Sequence, residues 1–370
     1  MASATSVSTK APTSFLVRLG KITAGFISML LAILLVLVIA ILVVIWMLVR
    51  GPSPTIQHLF EMTVKETSAG GFLADIFLSE DEIESIYALA SNEDVGDEAV
   101  DPSLITVSEN KPERPVDLAV SPDTEDDSGD HPQPAPVEED YDSGIELHEI
   151  KHSRFSGYLM IVQDPKRVFV GTLDNYGTGR GATLIDHVRA HGAIAGINGG
   201  GFYDPEGKGN GGTPEGLVIG NGEVLWNTRS SIAPRHNTVI GFDADGILHV
   251  GNFTAEEATE KGLQWATTFG PVMILNGEIV AGPSGANPRT AIGQRADGAV
   301  LLLVVEGRQV DKIGATVLEM AEILLNYGAV NAGNLDGGSS TMLIYNDEMM
   351  IRSSSPAIMR MLPTTFLVSP

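Results

Sequence analysis

One long uncharged run constrains this chain more than any other feature of its sequence. Residues 22–49 read ITAGFISMLLAILLVLVIAILVVIWMLV. About 20 apolar residues in a helix span the hydrocarbon core of a bilayer, so this run is long enough to cross it. A cleaved signal peptide has a shorter apolar region followed by small residues, whereas this run ends in WMLVRGP. The sequence therefore predicts an uncleaved transmembrane anchor at 22–49 rather than a buried core helix.

The basic residues that flank the run predict its orientation. Lys10, Arg18 and Lys21 precede it, and Arg50 follows it closely. Because basic residues favour the cytoplasmic side, residues 1–21 are expected to form a cytoplasmic tail. The prediction is a single-pass protein of the cell membrane whose C-terminal domain is extracellular and whose anchor contacts the lipid bilayer.

Two segments separate the anchor from the globular part of the chain. The stretch FLSEDEIESIYALA has a capping-box pattern and a helical apolar face, so 50–90 is predicted to be a membrane-proximal helical segment. Residues 91–144 are rich in Asp, Glu, Pro and Ser and poor in large apolar residues. They are predicted to form an acidic disordered linker that acts as a spacer, although a run of carboxylates could also bind cations.

Composition excludes several classes of function. The formal net charge of −24 argues against a nucleic-acid partner, which would need clustered Lys and Arg. The absence of cysteine excludes disulfides, thiolate metal sites and a cysteine nucleophile. The 43% of hydrophobic residues is enough for a large core.

Residues 145–370 show the pattern of a globular domain built mainly from hairpins. Asn-Gly and Asp-Gly pairs between apolar runs predict hairpin turns at 221–222, 245–246, 276–277 and 297–298. Helical patterns occur at 183–191 and 316–327. The predicted class is α+β, a mixed and largely antiparallel β-sheet with packed helices, preceded by one transmembrane helix and the linker.

An internal near-repeat links the two predicted helices. Residues 181–200 read GATLIDHVRAHGAIAGINGG, and residues 314–338 read GATVLEMAEILLNYGAVNAGNLDGG. Each copy runs from a Gly-Ala-Thr helix start through a short strand to a polar residue and Gly-Gly. That residue is Asn198 in the first copy and Asp336 in the second. Because ligands are often held at strand ends, these two positions are predicted to lie in one site, although two helix–strand units could also resemble each other by chance.

Four stretches together resemble the phosphodiester glycosidase family. They are GINGGGFYDPEGKGNGGTPEGLVIGNGEV, TFGPVMILNGE, PRTAIGQRADGAVLLLVVEGR and GAVNAGNLDGGSSTML, and the resemblance covers roughly 150–370. The anchor and the acidic spacer resemble those of bacterial members related to exopolysaccharide. The resemblance implies hydrolysis of a glycosyl-1-phosphodiester on the sugar side of the phosphate, and it does not fix the substrate. The predicted substrate is part of a cell-surface or extracellular glycan.

That reaction calls for carboxylates and a cation. Asp336 is expected to be the catalytic carboxylate, as nucleophile, base or stabiliser of the cationic sugar, or else a turn aspartate that caps its own backbone. Glu306 follows five apolar strand residues, and it is either a second acid/base or one half of a structural ion pair with an arginine. Arg289 is predicted to bind the phosphate, because its planar guanidinium matches phosphate oxygens, and Arg308 is the next arginine considered.

The remaining predicted site residues are expected to bind substrate. The glycines allow close backbone approach, and the hydroxyl and amide groups can bond to sugar or phosphate oxygens. The predicted substrate-binding residues are Asn198, Gly199, Gly200, Asp204, Thr213, Arg308, Gly337, Gly338, Ser339 and Ser340.

The sequence predicts no cofactor and leaves the metal question open. His187 and His191 have the i, i+4 spacing of a zinc pair, but solvent-facing positions on the helix are expected. Ca²⁺ held by loop carboxylates is not supported by any Asp-x-Asp spacing of the loop type.

Two other functions stay open at this level. The same pocket could hold an anionic cell-wall or exopolysaccharide polymer without turnover, as a binding module. It could also cut the other P–O bond, as a phosphodiesterase.

Overall fold

The structure is a computed structural model that describes two compact units separately. One unit is Met1–Phe60 and the other is Glu61–Pro370. The predicted helical segment at 50–90 lies outside the described residues, except for Arg50, as does most of the predicted linker. The described residues are 15–50, 99–107, 133–134, 139–140, 144–177, 179–204, 208–228, 238–309, 311–355 and 360–370.

The first unit contains a single long helix among its described residues. Helix α1 spans Phe15–Arg50. Its stretch Thr23–Met47 has a mean hydropathy of 3.5, and none of it is buried against protein. Length and composition therefore suit a membrane span, and the apolar helix predicted from the sequence is present.

Within its described residues, the second unit contains three antiparallel sheets and three short α-helices. The helices are α2 Leu184–Ala190, α3 Ala255–Glu260 and α4 Val317–Asn326. The strands are β1 Gln133–Pro134, β2 Glu139–Asp140, β3 Ile145–Lys151, β4 Ser156–Val162, β5 Val168–Gly171, β6 Ala195–Asn198, β7 Leu217–Gly220, β8 Glu223–Asn227, β9 Thr238–Asp243, β10 Leu248–Gly251, β11 Leu263–Phe269, β12 Val272–Leu275, β13 Glu278–Ile279, β14 Arg289–Arg295, β15 Val300–Val305, β16 Ala329–Leu335, β17 Leu343–Tyr345, β18 Glu348–Ile351 and β19 Thr365–Val368.

The strand order brings distant parts of the chain together. The first sheet runs β1-β3-β4-β15-β14-β16-β12-β13, with β2 beside β3. The second runs β10-β9-β11-β7-β8, and the third runs β18-β17-β6-β19-β5. Every strand pair within the described ranges is antiparallel. The predicted α+β class with a largely antiparallel sheet is confirmed.

Local turn chemistry explains the hairpins. Asn221 and Gly222 both have positive φ, of 50° and 77°, between β7 and β8. Asn276 and Gly277 repeat this geometry between β12 and β13, with φ of 52° and 88°. Left-handed φ at both central positions matches the right-handed twist of the flanking strands, and Asn and Gly tolerate it best.

One core holds the three sheets together. Its buried members include Met160 and Ile292 of the first sheet, Phe242 of the second, and Ile197 and Phe366 of the third. Helix α4 packs on the first sheet through a second buried cluster, and α2 packs on the third sheet through another.

The near-repeat folds as two helix–strand units with the same helix start. The side chain of Thr183 caps α2 by accepting from the backbone N–H of Asp186. Thr316 caps α4 in a full capping box with Glu319. Each helix then leads to a central strand, β6 in the third sheet and β16 in the first.

Part of the predicted linker lies against the globular unit. We call residues 99–107 the strap. Its Val100 and Ile105 are buried, and Asp101 and Ala99 both hydrogen-bond to the side chain of Asn276. The expectation of unbroken disorder over 91–144 therefore does not hold at the strap, because its few large apolar residues bury themselves on the fold.

Candidate active site

The two polar strand ends of the near-repeat meet in the structure. β6 ends at Asn198, and β16 ends one residue before Asp336. Asn198 is buried, and its Nδ2 donates to the backbone carbonyl of Asp336 at 2.5 Å. Its Oδ1 accepts from Thr290 Oγ1 at 2.7 Å and from the backbone N–H of Met342 at 3.2 Å. One side-chain amide thus fixes where Asp336 stands.

Asp336 is a half-buried carboxylate with basic and hydroxyl neighbours. Burial raises the pKa of its side chain. A hydrogen bond with Ser340, the charges of Arg360 and Arg308 and the N–H of Gly337 act in the opposite direction. Desolvation disfavours the charged carboxylate, whereas opposite charges and donors favour it. A carboxylate whose pKa is perturbed and which has basic side chains nearby is the kind of group that acid–base catalysis uses.

The glycines after Asp336 are required by close packing. The N–H of Gly338 donates to the carbonyl of Pro288 at 2.9 Å, and a Cβ on Gly337 would lie 2.8 Å from that same oxygen. Gly338 also has a φ of +59°. Side chains at these positions would push the turn away from the loop before β14.

Arg308 reaches this turn from a left-handed backbone. Its φ is 58°, which is uncommon for a residue other than glycine and costs conformational energy. The residue is exposed, and its guanidinium donates to Asn287 Oδ1 at 3.2 Å and to Ser339 Oγ at 3.5 Å. A Cβ on Gly338 would lie 2.9 Å from the same guanidinium. The left-handed backbone at Arg308 therefore places its positively charged guanidinium beside the turn that follows Asp336.

Arg360 is the second arginine beside Asp336, and sequence reasoning missed it. Its Nη1 pairs with Asp204 Oδ2 at 2.9 Å, and its Nη2 donates to Ser340 Oγ at 3.4 Å. Its guanidinium carbon lies 4.8 Å from the ring centre of Phe202, and its buried Nε has no partner among the described residues. The only signal in the sequence is an arginine within the apolar stretch MRMLP, just before the last strand.

Arg289 occupies a different position from these two arginines. It is buried at the start of β14, and its Nη2 donates to the carbonyl of Gly285 at 2.7 Å. Its Nε donates to the carbonyl of Ala315 at 3.3 Å. These bonds hold the loop before β14 against the start of α4. Phosphate binding by Arg289 stays a prediction.

Glu306 also makes its hydrogen bonds and its ion pair with residues other than Asp336. Its carboxylate accepts from Ser156 Oγ at 2.9 Å and pairs with Lys312 Nζ at 3.4 Å. Among the hydrogen bonds of the described residues, none joins Glu306 to Asp336 or to Arg308. Glu306 therefore makes an ion pair, but with a lysine rather than with the arginine considered as its partner, and its catalytic role stays a prediction.

The Asn-Gly-Gly strand end packs within the protein. The N–H groups of Gly199 and Gly200 donate to the carbonyl and the hydroxyl of Thr364, at 3.1 and 3.0 Å. The carbonyl of Gly199 accepts from the N–H of Asp336 at 3.1 Å. Thr213 is half-buried and accepts from the N–H of Tyr203 at 2.9 Å. These glycines thus support the position of Asp336.

The expected solvent-facing position is wrong for His187. The structure buries it on α2, with Nε2 3.0 Å from the carbonyl of Leu362, because this face of the helix packs on the third sheet. Burial lowers the pKa of His187. His191 is exposed. No cluster of three or more His, Asp or Glu suited to a metal occurs within the described ranges.

The C-terminal part of this chain is similar in sequence to known proteins. Residues 191–369 match the sequence model of the family described as phosphodiester glycosidase. N-acetylglucosamine-1-phosphodiester alpha-N-acetylglucosaminidase of Bos taurus is 30% identical over 216 residues, which cover 51% of this chain and 39% of the relative. The SPbeta prophage-derived uncharacterized protein YomE of Bacillus subtilis is 27% identical over 208 residues, covering 54% of this chain and 31% of the relative. The chain thus spans well under half the length of these curated relatives.

A solved structure shares the fold. The zebrafish N-acetylglucosamine-1-phosphodiester alpha-N-acetylglucosaminidase catalytic domain, auto-inhibited by its pro-peptide, aligns with a TM-score of 0.52 and 21% identity. The alignment covers 65% of this chain and 88% of that chain. The alignment shows that the fold is shared, and the sequence comparison shows that residues 191–369 of this chain match the phosphodiester glycosidase family.

Proposed function

We propose that this protein hydrolyses a glycosyl-1-phosphodiester between the anomeric carbon and the phosphate oxygen. The observation that carries the proposal is the half-buried carboxylate of Asp336. Burial raises its pKa, and the positive charges of Arg360 and Arg308 act on it in the opposite direction. A phosphodiester glycosidase has to hold an anion beside a carboxylate, and these three side chains supply both.

The two arginines are assigned to the phosphate. Arg308 is exposed, and Arg360 carries a buried Nε–H without a partner among the described residues. Guanidinium groups bind phosphate oxygens through charge-assisted hydrogen bonds. They also stabilise the negative charge that grows on the departing phosphate, whose second pKa is about 6, so full protonation of the leaving group is unnecessary.

Asp336 is assigned to the anomeric centre. Its raised pKa makes the ionised carboxylate a stronger base than an ordinary aspartate. As the bond between the sugar and the phosphate breaks, Asp336 takes a proton from the attacking water, whose oxygen bonds to the anomeric carbon. The products are a free sugar and a phosphate monoester. The same carboxylate lies where it can stabilise the positive charge that develops on the sugar ring.

The place of the reaction is assigned from α1 and the charges around it. Thr23–Met47 is long and apolar enough to cross a bilayer, and Lys10, Arg18 and Lys21 precede it. The protein is then anchored in the cell membrane by one span, and its C-terminal domain acts outside the cell. The substrate is a phosphodiester-linked glycan of the cell surface or of the extracellular space.

The test uses the full-length chain in detergent and the methyl diester of N-acetylglucosamine-1-phosphate. Hydrolysis in ¹⁸O-water should place the label in the sugar, whereas label in the phosphate would show attack on phosphorus and cleavage of a P–O bond instead of the C–O bond. Asp336→Ala should lower kcat by about 10²-fold or more while the diester still binds. The exposed Asp245→Ala, in the turn after β9, should leave kcat unchanged. Binding of the diester by the wild type without any turnover would support the binding-module alternative.

A further inference from the structure

The carboxylate of Asp204 lies against one of the two arginines that are assigned to the phosphate. Its Oδ2 is 2.9 Å from Nη1 of Arg360, and the exposed fraction is 11% for the side chain of Asp204 and 16% for that of Arg360. An exposed ion pair adds little to a structure, whereas loss of one partner from a buried pair leaves the other charge uncompensated. The position of the Arg360 guanidinium therefore depends on Asp204.

The segment around Asp204 encloses the side chain of Arg360 from more than one side. The ring of Phe202 lies 4.8 Å from the guanidinium carbon, within the range of a cation–π contact. The N–H of Gly209 donates to the same Asp204 Oδ2 at 2.8 Å, and a Cβ on Gly209 would lie 2.9 Å from Arg360 Cδ. The N–H of Met361 donates to the carbonyl of Gly209 at 2.9 Å. A ring, a carboxylate and the backbone thus hold this arginine in place.

The other end of the same guanidinium is directed toward Asp336. Nη2 of Arg360 donates to Ser340 Oγ at 3.4 Å, and Ser340 hydrogen-bonds to Asp336. The guanidinium is a planar, rigid fork, so a bond at Nη1 together with a contact on its face also sets the direction of Nη2. Asp204 is therefore placed to control which way Arg360 presents its charge.

The bonds of Asp204 distinguish two roles that a carboxylate can have here. A negatively charged carboxylate repels an anionic phosphodiester, so direct contact with the phosphate is unfavourable. Its Oδ2 accepts from Arg360 and from the backbone of Gly209, and both donors belong to the protein. A role that is exerted through Arg360 fits these bonds better than the substrate contact predicted from the sequence.

We infer that Asp204 is a positioning residue that holds the guanidinium of Arg360 in the direction of the substrate phosphate. The inference rests on the proposed function, because it takes Arg360 as a group that binds the phosphate. Without Asp204, the long side chain of Arg360 has to be ordered each time a substrate binds, which costs conformational entropy and weakens the interaction.

A double-mutant cycle on the full-length chain in detergent tests the inference, with the methyl diester of N-acetylglucosamine-1-phosphate as substrate. Asp204→Ala should lower kcat/KM about tenfold, which is within the range of coupling between residues in contact. In the Arg360→Gln background the same change should lower kcat/KM by less than about twofold, because the arginine that Asp204 positions is gone. Equal factors in the two backgrounds would show that Asp204 acts independently of Arg360, and would overturn the inference.

A conservative variant and a matched control accompany the cycle. Asp204→Asn keeps an oxygen that accepts from Arg360, and a neutral acceptor gives about half the strength of a charged one, so kcat/KM should fall only about threefold. If Asp204→Ala does not fold, the cycle is run with Asp204→Asn, and equal factors in both backgrounds again overturn the inference. Asp297→Ala removes another aspartate–arginine pair, to Arg295 at 2.6 Å in the turn after β14, and should leave kcat/KM unchanged.

A direct binding measurement separates this inference from the proposed function. If the wild type binds the diester in calorimetry without turning it over, the proposed reaction fails. Weaker binding by Asp204→Ala that disappears in the Arg360→Gln background still supports the positioning role. Equal affinity and equal kcat/KM of the wild type and Asp204→Ala would overturn the positioning role alone. A wild type that does not bind the diester at millimolar concentration would overturn both.

Discussion

Single residues carry the chemistry of this site, and their neighbours decide what each can do. Asn198 and Asp336 stand at the ends of equivalent strands of the near-repeat, yet Asn198 is fully buried and positions the turn, whereas Asp336 is half-buried. Arg289 and Arg360 are both largely buried guanidinium groups. Arg289 bonds to backbone carbonyls, and Arg360 bonds to side chains around Asp336. Chemical type alone therefore does not assign a role.

The raised pKa of Asp336 predicts a pH-dependent cost of folding. Because its folded pKa lies above that of the unfolded chain, the folded state binds more protons between the two values. Stability is therefore greatest below the unfolded pKa, near 3.8, and it falls as pH rises to the folded pKa. Asp336→Asn removes this fall, so the Tm of the variant minus that of the wild type should increase with pH over that window.

Calorimetric melts of the two proteins at a series of pH values measure this difference. The exposed Asp245→Asn serves as the control and should show a Tm difference that does not change with pH. A constant difference for Asp336→Asn would show that burial does not raise the pKa of this carboxylate.

At the scale of elements, the strap joins the fold although its sequence composition is that of a spacer. Val100 is buried in the core that the three sheets share, and the N–H of Thr106 donates to the carbonyl of Ala296 at 2.8 Å. Asp101 bonds to the turn residue Asn276. The folding unit therefore begins before β3, at the strap, and a chain shortened to start at residue 145 would lack this packing.

Two neighbouring residues of the strap provide a matched test. Ile105 is 6% exposed and Leu104 is 40% exposed. Ile105→Ala should destabilise the protein by about 2 kcal/mol or more, because it removes a buried side chain and leaves a cavity. Leu104→Ala should change stability by less than about 0.5 kcal/mol. Urea unfolding of the globular unit measures both, and equal small effects would mean that the strap is only a tether.

At the scale of the whole molecule, the chain joins an apolar helix to an acidic enzyme-like domain. The apolar residues of Thr23–Met47 in helix α1 are exposed, and none of this stretch is buried against protein. Such a surface is soluble only in a bilayer or in detergent. The globular unit, by contrast, buries its apolar residues among the sheets.

Removal of residues 1–50 should therefore convert a membrane protein into a soluble one. The full-length chain is expected in the membrane pellet of a bacterial host, resistant to high salt and alkali and released by detergent. The shortened chain should stay in the supernatant with the same kcat on the methyl diester. If the full-length gene instead yields a soluble protein that has been cut after the apolar run, the run is a cleaved signal sequence.

The sequence by itself determined the features that depend on residues adjacent in the chain. Turn glycines and asparagines set the hairpins because their φ preferences are local, threonine caps started α2 and α4, and the near-repeat correctly paired Asn198 with Asp336. Only the tertiary structure decided which side chains share a site. Arg360 is brought to Asp336 through contacts between residues far apart in the chain. No local pattern records such contacts, because they depend on strand order and on burial.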